Sequence, residues 1–504
     1  MHGMVRRHTT RNEPFRMVRT TVLAVLPLLL LAVPAWAQKW ATSWAAADQG
    51  PYPAGNALNQ PDMRFAFPAP TFPAPTSPAS TSPGTDADGS TPGARDQSFR
   101  LAVPPALWGR TVRIRLSNAF GQKPVTFDGA FIGLQSSGAN VMPGSNRPVT
   151  FDRGKKAATV PPGQLLWSDP VTLPFVSNPA APELAGRRLL VSFHVSGPGN
   201  TATGPMTWHA ASLNTSYLTA PGAGALGEIE DDSAFPNSTT STFFLDALDV
   251  QAPADTKVVV ALGDGTVDGA GSTPGGADRW TDVLNRRLAA AGMHVVVVDA
   301  GIAGNQVLAP ANPAAPPAPG GPAAATRLDR DVLSLSGVTH VIWLGGGNDL
   351  SALGHATPDA VMAGFASGVG RLRARSPGLR VLGGTVISTA GSTAPTHAVP
   401  GVEQARQTLN AAIRGNGTPF DGVIDFDAAT TDRTTGQIRA EFKAFPGAAA
   451  PSDGVLPNRA GYIAMADAVD LKLFLPPARP APRRPAPRPA PSPAPSPSPA
   501  EAAQ

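Results

Sequence analysis

The sequence has no cysteine among its 504 residues. This excludes disulfides, thiolate metal sites and a thiol nucleophile, and it leaves the redox compartment open. Beyond the N-terminal segment, no apolar run is long enough to span a membrane. The chain also lacks a basic body. Its formal charge is +4, but five Arg and one Glu lie in residues 1–37, and four Arg and one Glu lie in the tail from Pro476. The segment between them therefore stands near −3. With the positive excess confined to the two ends, no nucleic-acid partner is expected.

The first of those ends has a recognisable design. Arg6, Arg7, Arg11, Arg16 and Arg19 precede the uncharged run TTVLAVLPLLLLAVPAWA, which closes on Ala35-Trp36-Ala37. A basic region, a Leu-rich stretch and small residues flanking a cleavage point make a secretory signal. A short membrane anchor is the competing reading. The brevity of the run and Pro34 within it favour cleavage. The mature chain is expected to start near Gln38, in the periplasm or outside the cell, with no stable membrane span.

Pro (56) and Gly (52) are abundant but concentrated. Residues 68–95 are a Pro/Ser/Thr-rich insertion, 309–325 a Pro/Ala-rich one, and 476–504 a basic Pro-rich tail expected to be extended chain. The tail is a solvated end or a tether to cell wall or polysaccharide. Between these segments the chain changes character once. Residues 38–250 carry alternating segments such as RTVRIRLSN (110–118), RLLVSFHVS (188–196) and TFFLDALDV (242–250), separated by Gly/Pro/Asn/Asp turns. They imply a mostly-β, sandwich-like domain. From 256 to 475, apolar strands at 257–262, 294–298, 339–344, 380–387 and 422–426 alternate with helical patterns. One helix carries Trp280, Val283, Leu284 and Leu288. The next opens at Thr357-Pro358, and the last runs from Pro457 with Tyr462, Met465, Val469 and Leu473. The expectation is α/β: a three-layer α/β/α domain with a parallel sheet, and sites beyond the carboxyl ends of its strands.

Three glycine turns fall at such ends: LGDGTVDG, DAGIAGN and LGGGND. The first is not a dinucleotide fingerprint. It is a residue too long, no Gly-Lys-Ser/Thr follows, and Asp264 and Asp268 would repel a pyrophosphate. Nor is it a calcium loop, since the twelfth position from Asp264 is Gly275 rather than Glu. No metal and no cofactor is expected. With SDGVLPNRAGY near the C-terminus, the three turns resemble, in order and spacing, the four blocks of the SGNH/GDSL hydrolase family: GDSxTDG, NxGxxG, GxND and DxxHPN. The segment WATSWAAADQGPYP and the β region after it are similar to secreted members with an N-terminal β domain.

The resemblance implies roles position by position. The nucleophile position falls on Gly265, which also supplies a backbone N–H to the oxyanion hole. The remaining oxyanion positions fall on Gly304 and Asn348. The acid falls on Asp453 and the base on Leu456. Glycine offers no oxygen and leucine no proton acceptor, so the scaffold is present without its two reacting groups. Glycine at 265 would relax a strained turn. Thr266 carries a neighbouring hydroxyl, and Asp264 a carboxylate. Six histidines follow the signal: His194, His209, His294, His340, His355 and His397. His294 and His340 lie at the start of or within apolar strands, and His355 and His397 lie in loops after strand ends, from which either could approach the site. Three readings follow. The first is an exported esterase-like protein that binds an acylated carbohydrate or small acyl ester but is catalytically impaired. The second is an active ester hydrolase with a non-standard nucleophile. The third is a polysaccharide-binding or scaffold protein.

Overall fold

The computed structural model describes residues 37–52, 66–67, 93–309, 320–444 and 454–475. The signal segment up to residue 36, nearly all of the 68–95 insertion, most of the 309–325 insertion, Asp453 and the 476–504 tail lie outside the described residues. Among those described, no helix is long and apolar enough to cross a membrane.

The second half of the chain builds a five-stranded sheet in the order Val295–Gly301, Lys257–Gly263, Val338–Leu344, Arg380–Gly384, Gly422–Ile424. Every neighbouring pair is parallel. The strand Lys257–Gly263 shows why its sequence is apolar throughout. Val258, Val260 and Leu262 belong to the core on one face, and Val259 and Ala261 to the core on the other. Helices Trp280–Ala290 and Arg459–Asp467 pack on the second face. Pro358–Arg375 and Val402–Arg414 cover the first. The expected α/β/α layering holds, and the three glycine turns stand at carboxyl ends. The second strand lies on one side of the first and the third on the other, the switch point at which sheets of this kind form their binding crevice.

Three details differ from the sequence reading. The last helix starts at Arg459 rather than Pro457, because the Asn458 side chain accepts from the N–H groups of Ala460 and Gly461 and sets the cap there. The fourth strand stops at Gly384. Beyond it, the N–H and C=O of Val386 are taken by the Asn410 side chain instead of a neighbouring strand. Asn410 belongs to Val402–Arg414, a helix the sequence reading did not anticipate. Its buried face includes Arg406 and Asn410 beside Val402, Leu409 and Ile413.

The first half is β-rich and antiparallel, as expected. One sheet has Gln38–Ala45, Leu245–Pro253, Thr111–Ser117 and Val171–Thr172 in order. A second is built around Gln97–Val103, Leu189–Ser196 and Val125–Ser137. Between them lies an apolar core containing Val112, Ile114, Phe99, Phe127, Phe193 and Phe244. The opposite face of the first sheet is polar and turns toward the α/β half. Arg113 pairs with Asp249 at 2.8 Å, and Ser336 donates to Asp249 at 2.7 Å. Arg115 pairs with Asp246 at 2.8 Å and donates to the Ser334 hydroxyl at 2.7 Å. The chain of charges continues inward. Arg330 donates to the Asp48 carbonyl at 2.7 Å and pairs with Asp331 at 2.7 Å. Asp331 pairs with Arg327 at 2.8 Å, and Arg327 donates to the carbonyls of Gly263 (3.0 Å) and Ala300 (2.8 Å). The β half is thus wired to the ends of the two strands that carry the first two glycine turns.

Arg327 is fully buried. Arg327→Leu leaves two strand-end carbonyls and part of the Asp331 charge without partners. It is expected to cost at least about 3 kcal/mol in urea unfolding of the full chain. Arg327→Lys should recover only part of this, since an ammonium cannot reach the same set of acceptors. A loss below about 1 kcal/mol for the Leu variant would contradict the role assigned to the charge chain.

Candidate active site

At the carboxyl end of Lys257–Gly263 the chain enters a four-residue helix, Gly265–Asp268, capped by Asp264. Gly263 must be glycine, because a Cβ there would stand 2.0 Å from the Leu344 carbonyl. Gly269 must adopt φ +90° to end the helix. Gly265 is under neither constraint. Its φ lies outside the left-handed region, and a Cβ would come no nearer than 3.5 Å to Ala270 and Ala303. The expected relief of strain by glycine is not what this turn shows: the backbone at 265 accommodates a Cβ.

Asp264 and Thr266 are bound to each other. The Thr266 N–H donates to the Asp264 carboxylate at 2.9 Å. Burial pushes Asp264 up to about 6 against this bond, with the Asp349 charge adding to the rise.

The second turn is built on Asn305. Gly304 takes φ +80°, which brings its carbonyl against Gly320. The Asn305 side chain donates to the carbonyls of Gly320 and Pro322, both at 2.7 Å, and accepts from Arg327 at 2.9 Å. Its backbone carbonyl accepts from the Asn348 amide at 3.0 Å, which joins the second turn to the third. Asn348 retains a second amide hydrogen. Next to it, buried Asp349 accepts from the N–H groups of Val307 (2.8 Å) and Leu308 (2.9 Å). Gly304 and Asn348 are thus brought together through Asn305, a residue the motif reading did not single out.

The last block closes against the first. The Pro457 carbonyl lies 2.7 Å from the Cβ position of Gly271, and the Tyr462 hydroxyl donates to the Ala270 carbonyl at 2.6 Å. Half-buried Leu456, whose carbonyl accepts from the Ala444 N–H, immediately precedes Pro457. Asp453 lies outside the described residues.

The histidines separate clearly. His294 pairs with Asp255 at the amino end of the sheet, away from the turns. Burial pushes His340 down to about 4, with Arg380 and Lys257 adding to the effect. His194 sits in the β half between Asp128 and Asp96. His355 is exposed in the loop after the third turn, and His397 meets Thr396 in the loop after the fourth strand. His209 bonds to a residue of the first turn. Its Nε2 lies 3.1 Å from Asp268, whose other oxygen accepts from the Ala303 N–H at 2.9 Å. No sequence signal links two residues 59 positions apart in different halves. Among the described residues, no three His, Asp or Glu side chains are grouped to hold a metal ion.

Residues 261–464 match the GDSL-like lipase/acylhydrolase family. No curated protein matches the chain. Solved structures give weaker likenesses. A carbohydrate acetylesterase from Sinorhizobium meliloti is 16% identical with a TM-score of 0.33, covering 42% of this chain and 96% of its own. An aryl esterase from M. smegmatis is 19% identical with a TM-score of 0.33, covering 42% and 96%. A GDSL-like lipase from Bacteroides thetaiotaomicron is 18% identical with a TM-score of 0.31, covering 42% and 85%.

The Asp264 carboxylate offers a test of the turn. Its folded-state value is raised, so the ionised form costs stability as pH climbs through about 6. Asparagine caps as well and carries no charge. Asp264→Asn is expected to gain on the wild type between pH 4 and pH 7, by about 2–3 kcal/mol, and to hold that gain above. Thermal unfolding across pH measures this. A difference that does not change with pH would contradict it.

Proposed function

We propose that this chain, a member of the SGNH/GDSL hydrolase family through residues 261–464, is exported and binds an acylated carbohydrate or small acyl ester without hydrolysing it. One observation carries the reading. Position 265 stands at the carboxyl end of the strand Lys257–Gly263, its backbone accommodates a Cβ, and it carries none. Ester hydrolysis by this kind of site needs an oxygen nucleophile and a base within reach of it. Gly265 and Leu456 supply neither. In a triad enzyme the loss of either group costs on the order of 10⁶ in kcat, and loss of both little more.

Binding survives that loss. The Gly265 and Gly304 N–H groups and the free hydrogen of Asn348 are donors suited to an acyl oxygen. Asp453 completes the set of family positions, and the base position of that set is Leu456. The ester and carbohydrate chemistry is taken from the family and from the names of the similar structures, and export from the N-terminal segment. The Pro-rich tail is the part suited to contact cell wall or polysaccharide.

A second reading has one observation in its favour: Asp264, whose N–H partner is Thr266, has its carboxylate raised to about 6 by burial, which sets a base in the same turn as the Thr266 hydroxyl. Activity by this route would be present in the wild type and abolished in Thr266→Ala.

Restoration separates the readings. Gly265→Ser combined with Leu456→His is expected to cleave an acetyl ester, while the wild type and each single variant stay at background. Wild-type activity equal to the double variant's would overturn impairment. An inert double variant that still folds would show that the turns no longer form an ester site.

A further inference from the structure

His209 ends the short strand Met206–His209 of the β half, and its ring is buried between two acceptors. Nδ1 lies 2.8 Å from the Ala47 carbonyl, which can only accept, so Nδ1 carries a hydrogen. Nε2 lies 3.1 Å from an oxygen of Asp268, itself 1% exposed. A neutral ring with its hydrogen on Nδ1 would set a lone pair against that carboxylate. A second proton therefore lies between ring and carboxylate, and the pair is a buried imidazolium with its counter-ion.

The other Asp268 oxygen accepts the Ala303 N–H at 2.9 Å. Ala303 immediately precedes Gly304, and its backbone lies 3.5 Å from the Cβ position of Gly265. One carboxylate thus connects the β half to the strip of backbone between the first two turns. We propose that His209 is a positioning residue of the ligand site: as an imidazolium it fixes Asp268, and through Asp268 the Ala303–Gly304 backbone. The proposal rests on the reading of Gly304 as a ligand donor.

The surroundings set the direction of the pH response. Burial opposes the charge on His209, but Asp268 and the Ala47 carbonyl outweigh it and hold the ring above its ordinary value. Arg279 faces the same space and opposes the imidazolium. It is itself engaged, donating to the Ser212 carbonyl at 2.5 Å and lying 3.8 Å from Asp299. Asp299, raised to about 6 by burial, shares with His209 and Arg279 the lining of a cavity of about 10 Å³, the size of one water. Tyr462 faces Asp268 and keeps its proton, since burial raises it well above its ordinary value. With the His209 value raised, its contribution is complete below the ordinary histidine range. It is lost as pH rises through the raised value, when the ring must give up either Ala47 or Asp268.

Two measurements on the full chain test this. The first is hydrogen exchange at the Ala303 amide, relative to its intrinsic rate, from about pH 6 to about pH 10. Protection is expected to fall roughly tenfold across the His209 titration in the wild type. In His209→Gln, whose amide donates at every pH, it should not vary with pH. Protection that does not change while His209 titrates, or a His209 ring carrying one proton at pH 7 in ¹⁵N-histidine spectra, would overturn the proposal.

The second measurement is the affinity for glucose pentaacetate over the same range, with glucose as control. The wild type is expected to weaken roughly tenfold toward alkaline pH, and His209→Gln to show no such slope. An equal slope in the variant would overturn the proposal. Glucose pentaacetate that binds at no pH, with exchange at Ala303 behaving as stated, would support the His209 link and overturn the ligand reading of Gly304.

Discussion

The buried guanidinium of Arg327 is the constraint on which the rest of the architecture hangs. It donates to the carbonyls that end the first and second parallel strands, to the Asn305 side chain and to Asp331. Few groups other than a planar fork of five donors could satisfy four acceptors from three directions at once. The strand ends are where both glycine turns begin, so the geometry of the crevice follows from this one side chain. Its charge is balanced through Asp331 and Arg330 toward Asp48 in the β half. The β half therefore helps to set the crevice, in addition to packing against the sheet.

Set against this frame, the glycines of the first turn sort themselves by physical need. Gly263 admits no side chain because a carbonyl of the next strand fills the space. Gly269 has a backbone that favours glycine. Gly265 has an ordinary backbone that accommodates a Cβ, so packing and strain do not account for it. The surrounding donors, the Asn305 tie and the Asp268 bridge are all in place without a side chain there, consistent with a crevice that keeps its shape for binding.

Much of the fold was legible in the sequence because it depends on local periodicity. Strands buried on both faces read as continuous Val/Ile/Leu runs, and Trp280, Val283, Leu284 and Leu288 showed their helix by spacing alone. The helix Val402–Arg414 escaped notice because Arg406 and Asn410 occupy inward positions that the pattern would fill with apolar residues. Both are buried by long-range partners, Arg406 by Asp427 and Asn410 by Val386. The site divides in the same way. Gly265, Gly304, Asn348 and Leu456 were legible as motif positions. Asn305 closes the second motif block without being one of its assigned positions, and Arg327 and His209 lie in segments whose sequence marks neither; all three bond to partners supplied by the folded chain. The strain assigned to Gly265 was an error of the same origin, since a turn's dihedral angles cannot be read from its letters.

The central claim is that the crevice presents no reacting oxygen. Intact-mass spectrometry of the wild-type chain after incubation with a fluorophosphonate, a reagent that traps activated hydroxyl nucleophiles, tests it most directly. The account predicts an unmodified mass at neutral and mildly alkaline pH. A stoichiometric phosphonyl adduct mapped to Thr266, or to any other residue of the three glycine turns, would contradict it.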